Sequence, residues 1–106
     1  MLKHVVMWKF LDEAEGKTRA ENMQLINEML VDLKPQIPDL LSLEIGQDIG
    51  VGRDPFDMVL ITTFADAEAL ERYQNHPEHK KISHYVAKVR SARACVDFEM
   101  AHSGQA

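Results

Sequence analysis

Two stretches of this chain are apolar on both faces of a strand, and that pattern restricts its fold more than any other feature. Residues 3–10 alternate His4, Val6, Trp8 and Phe10 with Val5 and Met7, and residues 57–64 set Met58, Leu60, Thr62 and Phe64 against Val59, Ile61 and Thr63. Strand side chains repeat every two residues, so each segment presents an apolar row to both sides. A lone antiparallel sheet needs such a row only toward its own helices and turns polar residues to water. These segments need cover twice. With 106 residues the chain has room for one ordinary domain, so the second cover must come from another molecule, most simply a symmetric copy. The expected assembly is a homodimer.

The other elements are spaced to serve that sheet. Thr18 and Glu21 have capping-box spacing and open a helix whose Met23, Ile26, Leu30 and Leu33 form one stripe, until Pro35 and Pro38 stop it. Leu41, Leu43 and Ile45 alternate along a strand over 41–47, and the segment from Gly50 to Pro55 is turn chemistry. Asp66 caps a short helix that runs to about Gln74 with Leu70 and Tyr73 inward, and His76-Pro77 breaks it. Pro77 then opens a helix carrying Ile82, Tyr85, Val86 and Val89. A last strand over 93–100 sets Ala94, Val96, Phe98 and Met100 against Cys95, Asp97 and Glu99. The polar stretch Asp12–Gly16 reads as a connection. The order β-α-β-β-α-β predicts an α+β, ferredoxin-like fold, a four-stranded antiparallel sheet with helices on one face. Residues 1–100 make its single domain, and 101–106 are expected to be a flexible C-terminal tail.

Charge and cysteine usage remove several function classes. A net charge of −5 with no basic cluster repels phosphate backbones and excludes nucleic acid as partner. Val5–Trp8, flanked by Lys3 and Lys9, is too short for a signal sequence or a membrane span. Cys95 is the single cysteine and cannot form an intramolecular disulfide, which fits a cytoplasmic protein. His76 and His79 have a spacing that can hold a metal, but Pro77 interrupts the face and no cysteine or carboxylate cluster completes the coordination, so no metal is assigned. Gly50-Val51-Gly52 lacks the remainder of a dinucleotide fingerprint. No cofactor is called for.

The run from Asp57 to Phe64, the segment from Ala69 to His79 with Tyr73 and His76-Pro77-Glu78-His79, and Val96-Asp97-Phe98 together resemble the Dabb family, the stress-responsive dimeric α+β barrel domains. The opening Lys3-His4-Val5-Val6 and the strand Ser42–Gly46 fit the same pattern, so the resemblance covers nearly the whole chain. It implies a homodimer whose two sheets close a barrel, with a cleft in each protomer between sheet and helices. A plant polyketide cyclase of that family, which makes olivetolic acid, uses a histidine and a tyrosine for an aldol cyclisation. By position these fall on His79 and Tyr73, and a pocket histidine falls on His4. Trp8 stands where that enzyme has a smaller aliphatic residue, and its indole is expected to shrink or close the cavity. The antibiotic-biosynthesis monooxygenases and haem-degrading barrels fit less well, since no haem-site pattern exists beyond single residues.

His79 falls in the first turn of its helix, where the positive end of the dipole disfavours imidazolium and keeps the ring a neutral base. Tyr73 could steady a developing enolate oxygen. Structurally, both residues could simply tie the broken helix to the sheet, each through a buried hydrogen-bond partner. His4 lies on the helix-facing row and needs a partner, whether His79, a ligand or backbone. The reading is a stress-responsive protein that binds a small apolar molecule in a cleft lined by His4, Val6, Trp8, Met58, Leu60 and Thr62, with no assigned reaction. The alternative is a cofactor-independent cyclase, isomerase or lyase with His79 and Tyr73 as its acid/base pair.

Overall fold

The computed structural model describes residues 1–100; the tail expected at 101–106 lies outside the described residues. The elements run β1 (Leu2–Phe10), β2 (Glu13–Ala14), β3 (Lys17–Thr18), α1 (Arg19–Leu33), a 3-10 turn at Lys34–Gln36, β4 (Ser42–Gln47), β5 (Met58–Phe64), α2 (Ala67–Asn75), α3 (Pro77–Val89) and β6 (Arg90–Glu99). The main sheet is ordered β4-β5-β1-β6 and antiparallel throughout, which is the ferredoxin-like arrangement. The two strands that are apolar on both faces, β1 and β5, are its central pair. No helix of the described residues is long and apolar enough to cross a membrane.

Local chemistry sets the helix boundaries. Thr18 and Glu21 close a reciprocal capping box on α1, and Asp66 caps α2 by accepting from the Ala69 amide. His76 ends α2 and caps α3, whose first residue is Pro77. Along β1 the even-numbered residues from Leu2 to Phe10 are buried against the helices, with Ile26, Leu30, Val86 and Val89 among the groups that cover them. Among the described residues the opposite face has no such lid: Met7 is 37%, Phe98 44% and Val96 56% exposed, beside half-buried Val5, Val59 and Ile61.

Three features depart from the sequence reading. Residues 13–18 form a small hairpin, turning through Glu15 and Gly16 at φ 51° and 72°, where connection alone was expected. Two residues per strand leave no alternation to detect. The stripe of α1 includes fully buried Asn22, whereas Met23 is only half-buried. Asn22 donates to the Ala14 carbonyl (3.1 Å) and accepts from the Tyr85 hydroxyl (2.5 Å), so one amide joins hairpin, α1 and α3. Finally, β6 begins at Arg90, three residues before the expected 93, because the chain passes from α3 into the sheet with no intervening loop.

Candidate functional site

Sheet register decides which side chains meet beneath the helices. On β1, His4 lies opposite Thr62 and Asp97, Val6 opposite Leu60 and Cys95, and Trp8 opposite Met58 and Arg93. Over this row, the end of α2 supplies Tyr73 and Gln74, and the first turns of α3 supply His79, Ile82 and Ser83. They enclose a cavity of about 80 Å³, floored by His4, Val6, Trp8 and Leu60 and edged by Arg90 and Arg93. Trp8 is only 6% exposed and forms one wall of this small space.

Tyr73 is completely buried, and its hydroxyl has no hydrogen-bond partner among the described residues. An unsatisfied buried polar group costs about 1–3 kcal/mol. The tying role would require such a partner, and the tyrosine has none. Burial raises its pKa well above the ordinary phenol value, so the hydroxyl keeps its proton and is available as a donor. The ring is held between Phe64 and His79, with centroids 4.9 Å and 4.2 Å away.

His79 is half-buried at the third position of α3. Its Nδ1 lies 3.4 Å from the Gln74 carbonyl, which can only accept, so Nδ1 carries the hydrogen and Nε2 keeps its lone pair. Burial, first, holds the ring's pKa below that of a free histidine; the Gln74 carbonyl opposes this, while nearby His4, Arg93 and His76 reinforce it. The direction is the expected one, and its leading cause is desolvation.

His4 is buried, and its Nδ1 hydrogen bonds to the Asp97 carboxylate. The anticipated partners did not include Asp97, because only the β1–β6 register places it opposite His4. With Nδ1 turned to the carboxylate, the second ring nitrogen is left for other contacts. Cys95 Sγ lies 3.7 Å from both His4 Nδ1 and Asp97 Oδ1. Burial and the Asp97 charge raise the thiol's pKa, which keeps it protonated. The ligand atoms of His4, Cys95 and Asp97 lie within 4.8 Å of one another, a donor set suited to a borderline cation such as zinc. His76 takes no part: its Nδ1 accepts from the Glu78 amide at 3.1 Å to cap α3.

Two expected lining residues do not line this cavity. Met58 lies opposite Trp8, two register steps from His4, and is 2% exposed in the core. Thr62 is beside His4, but its hydroxyl donates to the His4 carbonyl at 3.3 Å and is spent on the sheet.

Against known proteins, the family described as the stress responsive A/B barrel domain, Dabb, matches residues 2–100. A dimeric protein of unknown function with a ferredoxin-like fold from Bacteroides fragilis is 26% identical over 93% of this chain and 95% of its own, with a TM-score of 0.78. A dimeric ferredoxin-like protein of unknown function from Jannaschia is 27% identical over 93% and 98%, with a TM-score of 0.73. The hydroxynitrile lyase from Passiflora edulis is 12% identical over 96% and 94%, with a TM-score of 0.79, a likeness of fold alone. No curated protein matches the sequence significantly.

Proposed function

Because this chain belongs to the Dabb family of stress responsive A/B barrel domains, we propose that it is a cytoplasmic homodimer that binds a compact, largely apolar molecule between sheet and helices. One observation carries the reading: Tyr73 lines the cavity, and its hydroxyl is buried, protonated and unpartnered among the described residues. Folded proteins rarely leave such a group unsatisfied, and a ligand oxygen in the cavity would complete it. Val6, Leu60 and Ile82 supply the apolar walls. The dimer is supported by the uncovered apolar face and by the dimeric relatives from Bacteroides and Jannaschia.

The test is native mass spectrometry, or extraction, of protein purified without stripping small molecules, for the parent and for Tyr73→Phe. A compact molecule retained by the parent and lost from the variant supports the reading. An empty parent that also binds nothing from a library of small apolar compounds counts against it.

A second reading is favoured by the His79 tautomer and the His4–Asp97 pair: cofactor-independent acid/base catalysis, with His79 Nε2 taking a proton and the Tyr73 hydroxyl steadying the resulting oxyanion. A general base contributes typically ~10²–10⁴-fold, so His79→Ala would lose turnover far beyond its loss of melting temperature. A retained molecule that leaves unchanged from parent and His79→Ala alike supports binding without chemistry.

A further inference from the structure

We propose that the occupant of this cavity is a small amphipathic carboxylic acid, its carboxylate held by the Arg93 and Arg90 guanidinium groups and its apolar part seated against Val6, Leu60 and Trp8. The proposal rests on the cavity being a binding site, and adds the chemical class of the ligand.

Acidic residues outnumber lysine and arginine by 17 to 12, and two of the five arginines are ion-paired among the described residues. Arg72 makes a two-pronged pair with Asp39 at 3.0 and 2.9 Å, and Arg19 pairs with Asp12. Arg90 and Arg93, by contrast, have no ion-pair partner among the described residues, and both edge the same cavity. No carboxylate lines that cavity, and Asp97, on the same face of the sheet, is committed to His4. The remaining polar groups suit an acid as well. The Tyr73 hydroxyl is a donor with no acceptor among the described residues, and Arg93 lies near enough to His79 to disfavour its imidazolium.

Geometry favours a carboxylate. A guanidinium presents parallel N–H groups that match the two oxygens of a carboxylate, and such charge-assisted bonds are stronger than neutral ones. The other walls combine apolar Val6, Trp8, Leu60 and Ile82 with the neutral polar groups of Gln74 and Ser83, which suits a ligand with a single anionic head and an apolar part. A cavity of about 80 Å³ admits a ring or a short chain and excludes a long tail. Both arginines enter on β6, whose alternation carries Arg93 to the helix-covered side, away from the open apolar face.

Benzoate and benzamide separate charge from shape, since they share a ring and differ in the head group. Titrations of both are followed by NMR at pH 7 with the parent and with Arg93→Gln, the fold of each being checked by its amide spectrum. The expected result is that benzoate binds the parent on the order of tenfold tighter than benzamide, and that Arg93→Gln brings the two to similar affinity. Arg93→Lys should keep part of the preference. Equal binding of both probes to the parent, or a preference that survives Arg93→Gln, overturns the proposal while leaving the cavity reading intact. Inorganic phosphate binding as tightly as benzoate also overturns it, in favour of an unselective anion site. If neither aromatic probe binds, the cavity reading fails and the acid proposal fails with it.

Discussion

The two faces of the sheet are built from alternate residues of the same strands, yet they are finished differently. Toward the helices, Leu2, Val6, Trp8, Phe10 and Phe64 are sealed, and the buried polar side chains on that side include His4 and Thr62 of the sheet and Asn22 and Tyr73 of the helices. On the other side Val5, Met7, Val59, Ile61, Val96 and Phe98 form an apolar surface with none of the described residues of the protomer over it. The chain completes the first face alone and leaves in it one small void and one unsatisfied hydroxyl. The second face is consistent in its chemistry and incomplete in its cover. Polar groups of interest therefore sit where the chain supplies its own walls, while the polar residues of the open face, among them Lys3, Ser42, Glu44 and Thr63, lie toward the strand ends and the β4 edge.

The largest effect should come from the uncovered face. Ile61→Asp or Val59→Asp would bury an unpaired charge if that face is closed by a second copy, at a cost on the order of 3–5 kcal/mol, and should dissociate or unfold the protein. Sedimentation checks this, and a parent that is a stable folded monomer at micromolar concentration breaks the comparison outright. Next comes the sealed face, where Trp8→Ala should cost about 3–5 kcal/mol in chemical denaturation without altering assembly. The same variant should bind an apolar dye better than the parent; unchanged dye binding would show that the indole does not limit the cavity.

Tyr73→Phe should have a smaller effect of opposite sign. Deleting an unsatisfied buried hydroxyl should stabilise the ligand-free protein by up to about 1–2 kcal/mol, seen as a raised denaturation midpoint with unchanged slope. A loss of stability would reveal a partner for the hydroxyl. The smallest effect concerns pH. The pKa of His79 is lowered in the folded state, so below the unfolded value of 6.5 the unfolded chain binds more protons. Stability contributed by the neutral ring is therefore present above pH 6.5 and declines as pH falls through the folded pKa. His79→Gln should flatten that part of the stability profile, and NMR titration of the parent should place the ring below a free histidine.

How much of this was legible in the sequence differs between the same two faces. Alternation alone identifies the apolar rows on both sides of β1 and β5, and capping chemistry places Thr18, Asp66 and Pro77, because these signals are local. The rows beneath the helices are readable too, since His4, Val6 and Trp8 follow from a period of two. What was not readable depends on register and shape. Asp97 finds His4 across more than ninety residues only through the pairing of β1 with β6, and Cys95 arrives with it. The Tyr73 hydroxyl is unpartnered because of the space around it, which no pattern of residue types encodes. Asn22 escaped because an amide on an apolar stripe looks out of place until the hairpin and Tyr85 are both in position.

The interruption at His76 has a geometric consequence for the cavity. In a continuous helix, two residues six positions apart are separated by about 9 Å along the axis and point in directions that differ by about 120°. Side chains so placed cannot stack. The chain instead steps out of helical geometry at His76, with φ −66° and ψ 132°, and re-enters at Pro77. That single extended residue redirects the chain between the two helices, and Tyr73 and His79 meet ring to ring at 4.2 Å. The meeting of phenol ring and imidazole is thus produced by a joint between two rigid rods. It belongs to neither helix, and a sequence that healed the joint would retain both residues and lose their encounter.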